Sequence, residues 1–268
     1  MKKILLLIVL LITYSHSQAK NISKTPFEIG ETIEIESKIL NETRTLNIYL
    51  PQNYHSQDSI EYSVIYLLDG SANEDFLHIV GLLQFFELQF QSKPTIIVGI
   101  SNVDRKRDFT FPTTDTELKK DFPTTGGSEK FIQFIKKELQ PTIDKNYKTN
   151  SDKIIIGQSL GGLLATEILL KHSSLFTSYI IVSPSLWWDN ESLLKKAPEL
   201  IKNTGNVTVV ISVGKEAKIM IREAKKLYAL SKKSEKITNR FFYLKKEDHG
   251  SVLHNAVYKS FDYLFNFH

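Results

Sequence analysis

The chain has 268 residues, with 34 Lys and Arg against 30 Asp and Glu, and it contains no cysteine. Disulfides, a thiolate metal site and a lipid-anchored cysteine are therefore excluded, and stability must come from core packing. The formal charge of +4 falls to about +2 once Lys2 and Lys3 are set aside, and what remains is spread through mixed Lys/Glu segments without a basic stripe, which argues against nucleic acid as a partner.

The first residues differ from the rest. Lys2 and Lys3 precede an apolar run from Ile4 to Ile12, and small or polar residues follow through Ser15, Ser17 and Ala19. That is the layout of a secretory signal peptide, assigned to residues 1–19. Nine apolar residues rise only about 14 Å as a helix against a hydrocarbon core of roughly 30 Å, so no stable membrane span is expected. Export to the periplasm or the medium is the expectation. Residues 20–268 are about the size of a single α/β domain.

Along that domain, short β-branched runs alternate with longer stretches of helical period, the pattern of a mostly parallel sheet with helices on both faces. Residues 32–39 and 44–50 read as an antiparallel edge pair joined at Asn41. Buried strands follow at 62–68, 95–100, 153–156, 179–182, 207–213 and 240–244. Ser128 is placed to cap a helix whose Phe131, Ile135 and Leu139 share one face, with Pro141 ending it. Residues 192–202 read as a short helical lid inserted over the site. Ala217, Met220, Ile221, Ala224, Leu227 and Tyr228 fall at helical spacing, as do Leu253, Ala256, Val257, Phe261 and Leu264.

The sharpest local signal is Gly157-Gln158-Ser159-Leu160-Gly161, a G-x-S-x-G pattern with Ile154, Ile155 and Ile156 as a buried strand before it and residues 163–170 as a helix after it. Strand, tight turn and helix together form a nucleophile elbow, and the fold class expected is the α/β-hydrolase fold. A serine hydroxyl needs a base near pKa 7 within hydrogen-bond reach. Among seven histidines, His249 lies in the loop after the last strand, where this fold carries its base, whereas His254 is already inside the final helix. Chain order places the acid between them. Glu216 follows strand 207–213 and the turn at Gly214; Asp189, Asp248 or a Ser-His dyad are the alternatives. The amides of Leu160 and Ser71, the latter after the Asp69-Gly70 turn, are the expected oxyanion donors. No metal is expected, because no two histidines sit at ligand spacing beside a carboxylate, and no cofactor is implied.

These residues, together with Leu67-Leu68-Asp69-Gly70, the run from Asn102 to Phe109, Ser183-Pro184-Ser185-Leu186-Trp187-Trp188 and Asp248-His249-Gly250-Ser251, resemble the putative-esterase family, which includes siderophore trilactone esterases, feruloyl esterases, esterase D-type enzymes and mycolyltransferases. The likeness runs from about Glu34 to Phe265 and is nearest to the siderophore branch, with enterobactin esterase domains as its type. It implies that Arg107 and Trp187 contact substrate, arginine through anionic oxygens and indole through aromatic or acyl groups; a local salt bridge of Arg107 with Asp104 or Asp108, and core packing of Trp187 and Trp188 beneath the lid, are the alternatives. Two positions depart from the family pattern: Gln158 stands where histidine is common, and Lys215-Glu216-Ala217 matches the acid loop imperfectly.

The function expected is an exported serine carboxylic ester hydrolase whose partner is a small-molecule ester, of siderophore or aryl type. An acyltransferase would use the same Ser159 acyl-enzyme while excluding water. A binding protein on a hydrolase scaffold would need no intact Ser159, His249 and Gly70.

Overall fold

A computed structural model describes residues 23–52, 54–56 and 59–265. The segment read as a signal peptide lies outside the described residues. In chain order the elements are β1 (Glu31–Ser37), β2 (Glu42–Tyr49), β3 (Tyr62–Leu67), α1 (Phe76–Phe90), β4 (Thr95–Ile100), α2 (Arg105–Asp108), α3 (Thr116–Asp121), α4 (Ser128–Phe134), α5 (Gln140–Asn146), β5 (Thr149–Gln158), α6 (Leu160–Lys171), β6 (Ser178–Val182), α7 (Trp188–Leu200), β7 (Val207–Gly214), α8 (Lys218–Ser231), β8 (Ile237–Leu244) and α9 (Val252–Leu264).

The strands form one sheet in the order β1-β2-β4-β3-β5-β6-β7-β8. The β1–β2 hairpin and the β2–β4 pair are antiparallel, and every other neighbour is parallel. Asn41 makes the hairpin turn at φ 56°, a left-handed conformation that asparagine tolerates better than most residues. The central strands are buried along their whole length, as expected where helices cover both faces of a parallel sheet. Their side chains alternate between two cores. Val64 and Tyr66 join Leu163, Leu164 and Leu227 on one face, whereas Ile65 and Leu67 join Phe86, Val257 and Phe261 on the other. The α/β-hydrolase architecture is therefore the one the residue pattern dictates.

Three local readings change. Ser128 does not cap α4: Gly127 is the capping residue, and the buried Ser128 hydroxyl has no hydrogen-bond partner. Pro141 does not end the helix, which passes through a π-helical turn at Ile135–Leu139 and continues as α5 with the proline in its first turn. The wider turn accommodates the ring, and the missing N–H costs nothing where no intrahelical bond was due. The strand read at 153–156 extends back to Thr149, because polar residues of β5 pair with β3 beyond the buried core, across an irregularity between Tyr62 and Val64.

The helical segment at 192–202 is present as the body of α7. Asp189, Asn190 and Glu191 all adopt left-handed φ values (49°, 53° and 59°) and set the helix off from Trp187 and Trp188. Leu193, Leu194 and Ala197 are buried in the core, so this segment forms part of the helical layer.

Candidate functional site

The site is built at the carboxyl ends of β5, β7 and β8. Ser159 follows β5 directly at φ 59°, ψ −117°, outside the ordinary wells of an L-residue and worth about 1–3 kcal/mol of strain. Three hydrogen bonds hold it there: its amide donates to Val182 O at 3.0 Å, and its carbonyl accepts from Leu163 N at 2.9 Å and Ser185 N at 3.0 Å. The glycines on either side are closely packed. A Cβ on Gly157 would lie 2.4 Å from the Gly161 carbonyl oxygen, and one on Gly162 would lie 3.0 Å from that of Val182.

His249 Nε2 is 3.1 Å from Ser159 Oγ, and His249 Nδ1 is 2.8 Å from Glu216 Oε2. With the Nδ1 proton directed at the carboxylate, Nε2 is left to accept from the serine. Glu216 is nearly buried, with a side chain 3% exposed. Its other oxygen accepts from the Gly214 amide at 3.0 Å and from the Ser183 hydroxyl. Burial pushes the Glu216 carboxyl up, but the hydrogen bonds from His249, Ser183 and Gly214 outweigh it and hold the group below the usual carboxylate range. The bond from Glu216 holds His249 above the usual imidazole range, against burial and the nearby Arg105, which act downward.

The other carboxylates considered for this role are committed elsewhere. Asp248 Oδ1 accepts from the amides of Gly250 and Ser251 at 2.9 and 3.0 Å, ordering the turn into α9. Asp189 accepts from Thr113 Oγ1 at 2.7 Å and from Thr114 N at 3.1 Å. Glu216 is therefore the carboxylate the fold brings to His249.

The two expected oxyanion donors stand differently. Leu160 is the first residue of α6, so its amide is one of those a helix leaves without an internal acceptor. The Ser71 amide instead donates to Glu74 Oε2 at 3.2 Å. Its loop is nonetheless packed close. Gly70 donates to Ile100 O at 3.0 Å, and a Cβ on Gly70 would fall 2.4 Å from the Gly99 Cα. In this arrangement one oxyanion donor is available and the second is engaged within its own turn.

Of the two residues read as substrate contacts, Trp187 reaches the site and Arg107 does not. Trp187 is half-buried and walls a cleft of about 510 Å³ together with Ser159, Ser185, Lys215, Met220 and His249. Its neighbour Trp188 is fully buried and donates Nε1–H to Phe111 O at 2.9 Å. The Arg107 guanidinium is spent on Asp108 at 2.7 Å and Glu42 at 2.6 Å, in a cluster shared with the fully buried Arg44. Those carboxylates raise its affinity for the proton further, so it is a structural cation. A second hollow, of about 580 Å³, lies between the ends of α7 and α8 around Pro198, Ile201 and Leu230, but it holds no serine–histidine pair.

Several functional neighbours were not singled out from the sequence. Ser183 sits at φ 43° and supports Glu216, Ser185 Oγ is 3.3 Å from Ser159 Oγ, and Arg105 grips Asp69 with a two-pronged bond at 2.6 and 2.8 Å. Their signal was positional, since all three fall in motifs that carry the family likeness, yet no spacing rule says which residue of such a run turns inward. Asp69, Ser159 and Ser183 all have positive φ, at the ends of β3, β5 and β6, three strands adjacent in the sheet. Among the described residues there is no group of three His, Cys, Asp or Glu able to hold a metal ion, and no helix long and apolar enough to cross a membrane.

Comparison with known proteins places this geometry. The model of the family described as "Putative esterase" matches residues 37–261. The ferri-bacillibactin esterase BesA of Bacillus subtilis (strain 168) is 31% identical over 194 residues, which span 65% of this chain and 66% of that protein. A crystal structure of an IroE-like serine hydrolase from Shewanella oneidensis superposes with a TM-score of 0.80 at 31% identity, covering 88% of this chain and 80% of that one. The BES protein from Bacillus cereus gives 0.79 at 28% identity, covering 89% and 97%. The family match takes in β2, the elbow, the acid and the histidine loop, and the chain belongs to the putative-esterase family of hydrolases acting on esters.

Proposed function

We propose that the chain is an exported serine esterase that cleaves carboxylic esters through an acyl-enzyme on Ser159. The single observation that carries this reading is the continuous relay of Ser159 Oγ, His249 and Glu216 at 3.1 and 2.8 Å, set at a strained elbow. His249 Nε2 takes the hydroxyl proton as Ser159 attacks the ester carbonyl, and Glu216 stabilises the imidazolium that forms. The tetrahedral oxyanion is met by the Leu160 amide and by a second donor from the Asp69–Ser71 turn once the Ser71 amide is released from Glu74. His249 then protonates the departing alkoxide. Water, deprotonated by the same nitrogen, releases the acid and restores the serine.

The substrate class proposed is a siderophore-type or aryl ester. It is supported by the 31% identity to a ferri-bacillibactin esterase and by a cleft that offers the Trp187 indole and the Met220 thioether beside the Lys215 ammonium. Export is supported by the charged, apolar and small-residue order of residues 1–19.

The test is turnover of a chromogenic short-chain ester and of a catecholate trilactone, with serine-directed phosphonate labelling, by the wild type and Ser159→Ala. Loss of both turnover and labelling in the variant is expected. Labelling that persists in Ser159→Ala removes the nucleophile, and a trilactone left uncleaved beside a hydrolysed chromogenic ester removes the siderophore class.

A further inference from the structure

The residue before the nucleophile, Gln158, is the last of β5, and its side chain reaches the histidine loop. Gln158 Nε2–H donates to the backbone carbonyl of His249 at 2.6 Å, across 91 positions of chain. The rest of the histidine loop is tied mainly to itself, through Asp248 with Gly250 and Ser251, and to the acid loop, where the Lys215 amide donates to Glu247 O at 2.6 Å. The bond from Gln158 is different in kind, because it joins the loop that carries the base to the strand that carries the nucleophile. The Gln158 carbonyl is in turn approached by Arg105 Nη2 at 3.4 Å, and Arg105 holds Asp69 in the turn after β3.

We infer that Gln158 is a positioning residue for the base: its carboxamide fixes the His249 peptide against the elbow, and so sets where the imidazole stands between Ser159 and Glu216. The inference rests on the serine esterase reading. A carboxamide suits the task because its N–H is a donor at every working pH, whereas an imidazole at the same position donates from one ring nitrogen only and changes character with protonation. This chain carries glutamine where the family likeness expects histidine. The half-exposed position also fits, since removing the donor creates no buried cavity.

The consequence is measurable in the ring rather than in the fold. The groups that set the His249 proton affinity are Glu216 and Asp248, which raise it, and Arg105, which lowers it, with burial also acting downward. If the peptide is no longer held, the ring drifts from Glu216 and loses its largest upward influence. The acid limb of the rate profile then moves to lower pH while kcat falls.

The experiment uses the full chain, a chromogenic ester, and kcat and KM measured from roughly pH 5 to 9. Gln158→Met keeps the length and removes the donor; Gln158→His restores a donor of different chemistry. The Met variant should lose kcat by on the order of tenfold, the worth of one good hydrogen bond, with KM nearly unchanged and the acid limb shifted down. The His variant should recover to within about threefold of the wild type, with the limb restored. Wild-type kcat and limb in Gln158→Met overturn the inference. Equal losses in both variants with an unmoved limb also overturn it, because they mark lost packing alone. Labelling at Ser159 in each variant keeps the two readings apart. If Ser159→Ala is still labelled, the esterase reading itself fails, whereas Ser159-dependent labelling with no effect of Gln158→Met sinks only the positioning role.

Discussion

Replacing Glu216 with glutamine tests the acid because the surroundings of that carboxylate leave an amide no good orientation. Both Glu216 oxygens accept hydrogen bonds: one from His249 Nδ1–H, the other from the Gly214 amide and the Ser183 hydroxyl. An amide has one accepting end. If its oxygen faces His249, its NH₂ meets the Gly214 amide, a donor that cannot be turned around, and a side chain 3% exposed has no water to relieve the clash. If its NH₂ faces His249, Nδ1 must become the acceptor and the proton moves to Nε2, so the ring can no longer receive one from Ser159. The first orientation loses a charge-assisted bond of about 1.5–3 kcal/mol, or roughly 10- to 150-fold in rate. The second costs on the order of 10⁴. The expected fall in kcat therefore lies between about 10-fold and 10⁴-fold, with KM little changed.

The pH profile supplies the sign. Glu216 holds His249 above its ordinary value, so in Glu216→Gln the acid limb should move down as the rate falls. Steady-state kinetics of the chromogenic ester across the acid limb, with circular dichroism to confirm folding, make the assay. A kcat within about tenfold of the wild type with an unmoved limb would refute the reasoning.

Ser159→Gly should abolish turnover yet raise thermal stability by about 1 kcal/mol, because glycine accepts φ 59° without the strain that serine bears; a lower melting temperature contradicts the strain argument. Arg107→Ala should cost about 1–3 kcal/mol of stability by stripping hydrogen bonds from Asp108 and Glu42, while the folded enzyme keeps its KM; a raised KM with unchanged stability would return Arg107 to the substrate site. Glu223 is buried with Oε2 unpartnered, and burial, with Glu191 beside it, pushes its carboxyl up to about 7. A carboxyl raised in the folded state favours folding below its ordinary value near 4.5, and that advantage is lost as pH rises through about 7. Glu223→Gln should therefore raise the melting temperature more at about pH 8 than at about pH 5, and the reverse order rejects the assignment.

The sheet was legible because its strands obey two simple patterns. Thr95–Ile100 is a β-branched run interrupted only by Gly99 and reads as a strand with the observed ends. β5 was cut short at its start because residues 149–152 are polar, and pairing with β3 at an exposed sheet end leaves no hydrophobic trace. Ser159, His249 and Glu216 could be placed from chain order, since strand ends at fixed points of the fold deliver them. Ser183 and Arg105 could not, because a buried polar contact between residues 33 or 36 positions apart has no period to detect. Of the two readings of Arg107, the salt bridge to Asp108 holds and the substrate contact does not, for a related reason. The Asn102 to Phe109 run offers two arginines with acidic neighbours, and only the fold reveals that Arg107 turns toward Glu42 and the buried Arg44 while Arg105 turns toward Asp69.

The position of β8 bears on how the enzyme ages. It is the last strand of the sheet, its residues are mostly half-exposed, and it is paired on one side only, to β7. The loop it leads into carries His249, whereas Ser159 hangs from β5 in the buried middle. Peeling of the edge is a smaller opening than loss of the core and needs less free energy. Activity thus depends on an edge of the sheet and not only on its protected middle. A warmed sample should go silent while its tryptophans, both anchored at the head of α7, still report a folded protein, and cooling should revive it until the bared edge finds another chain to pair with.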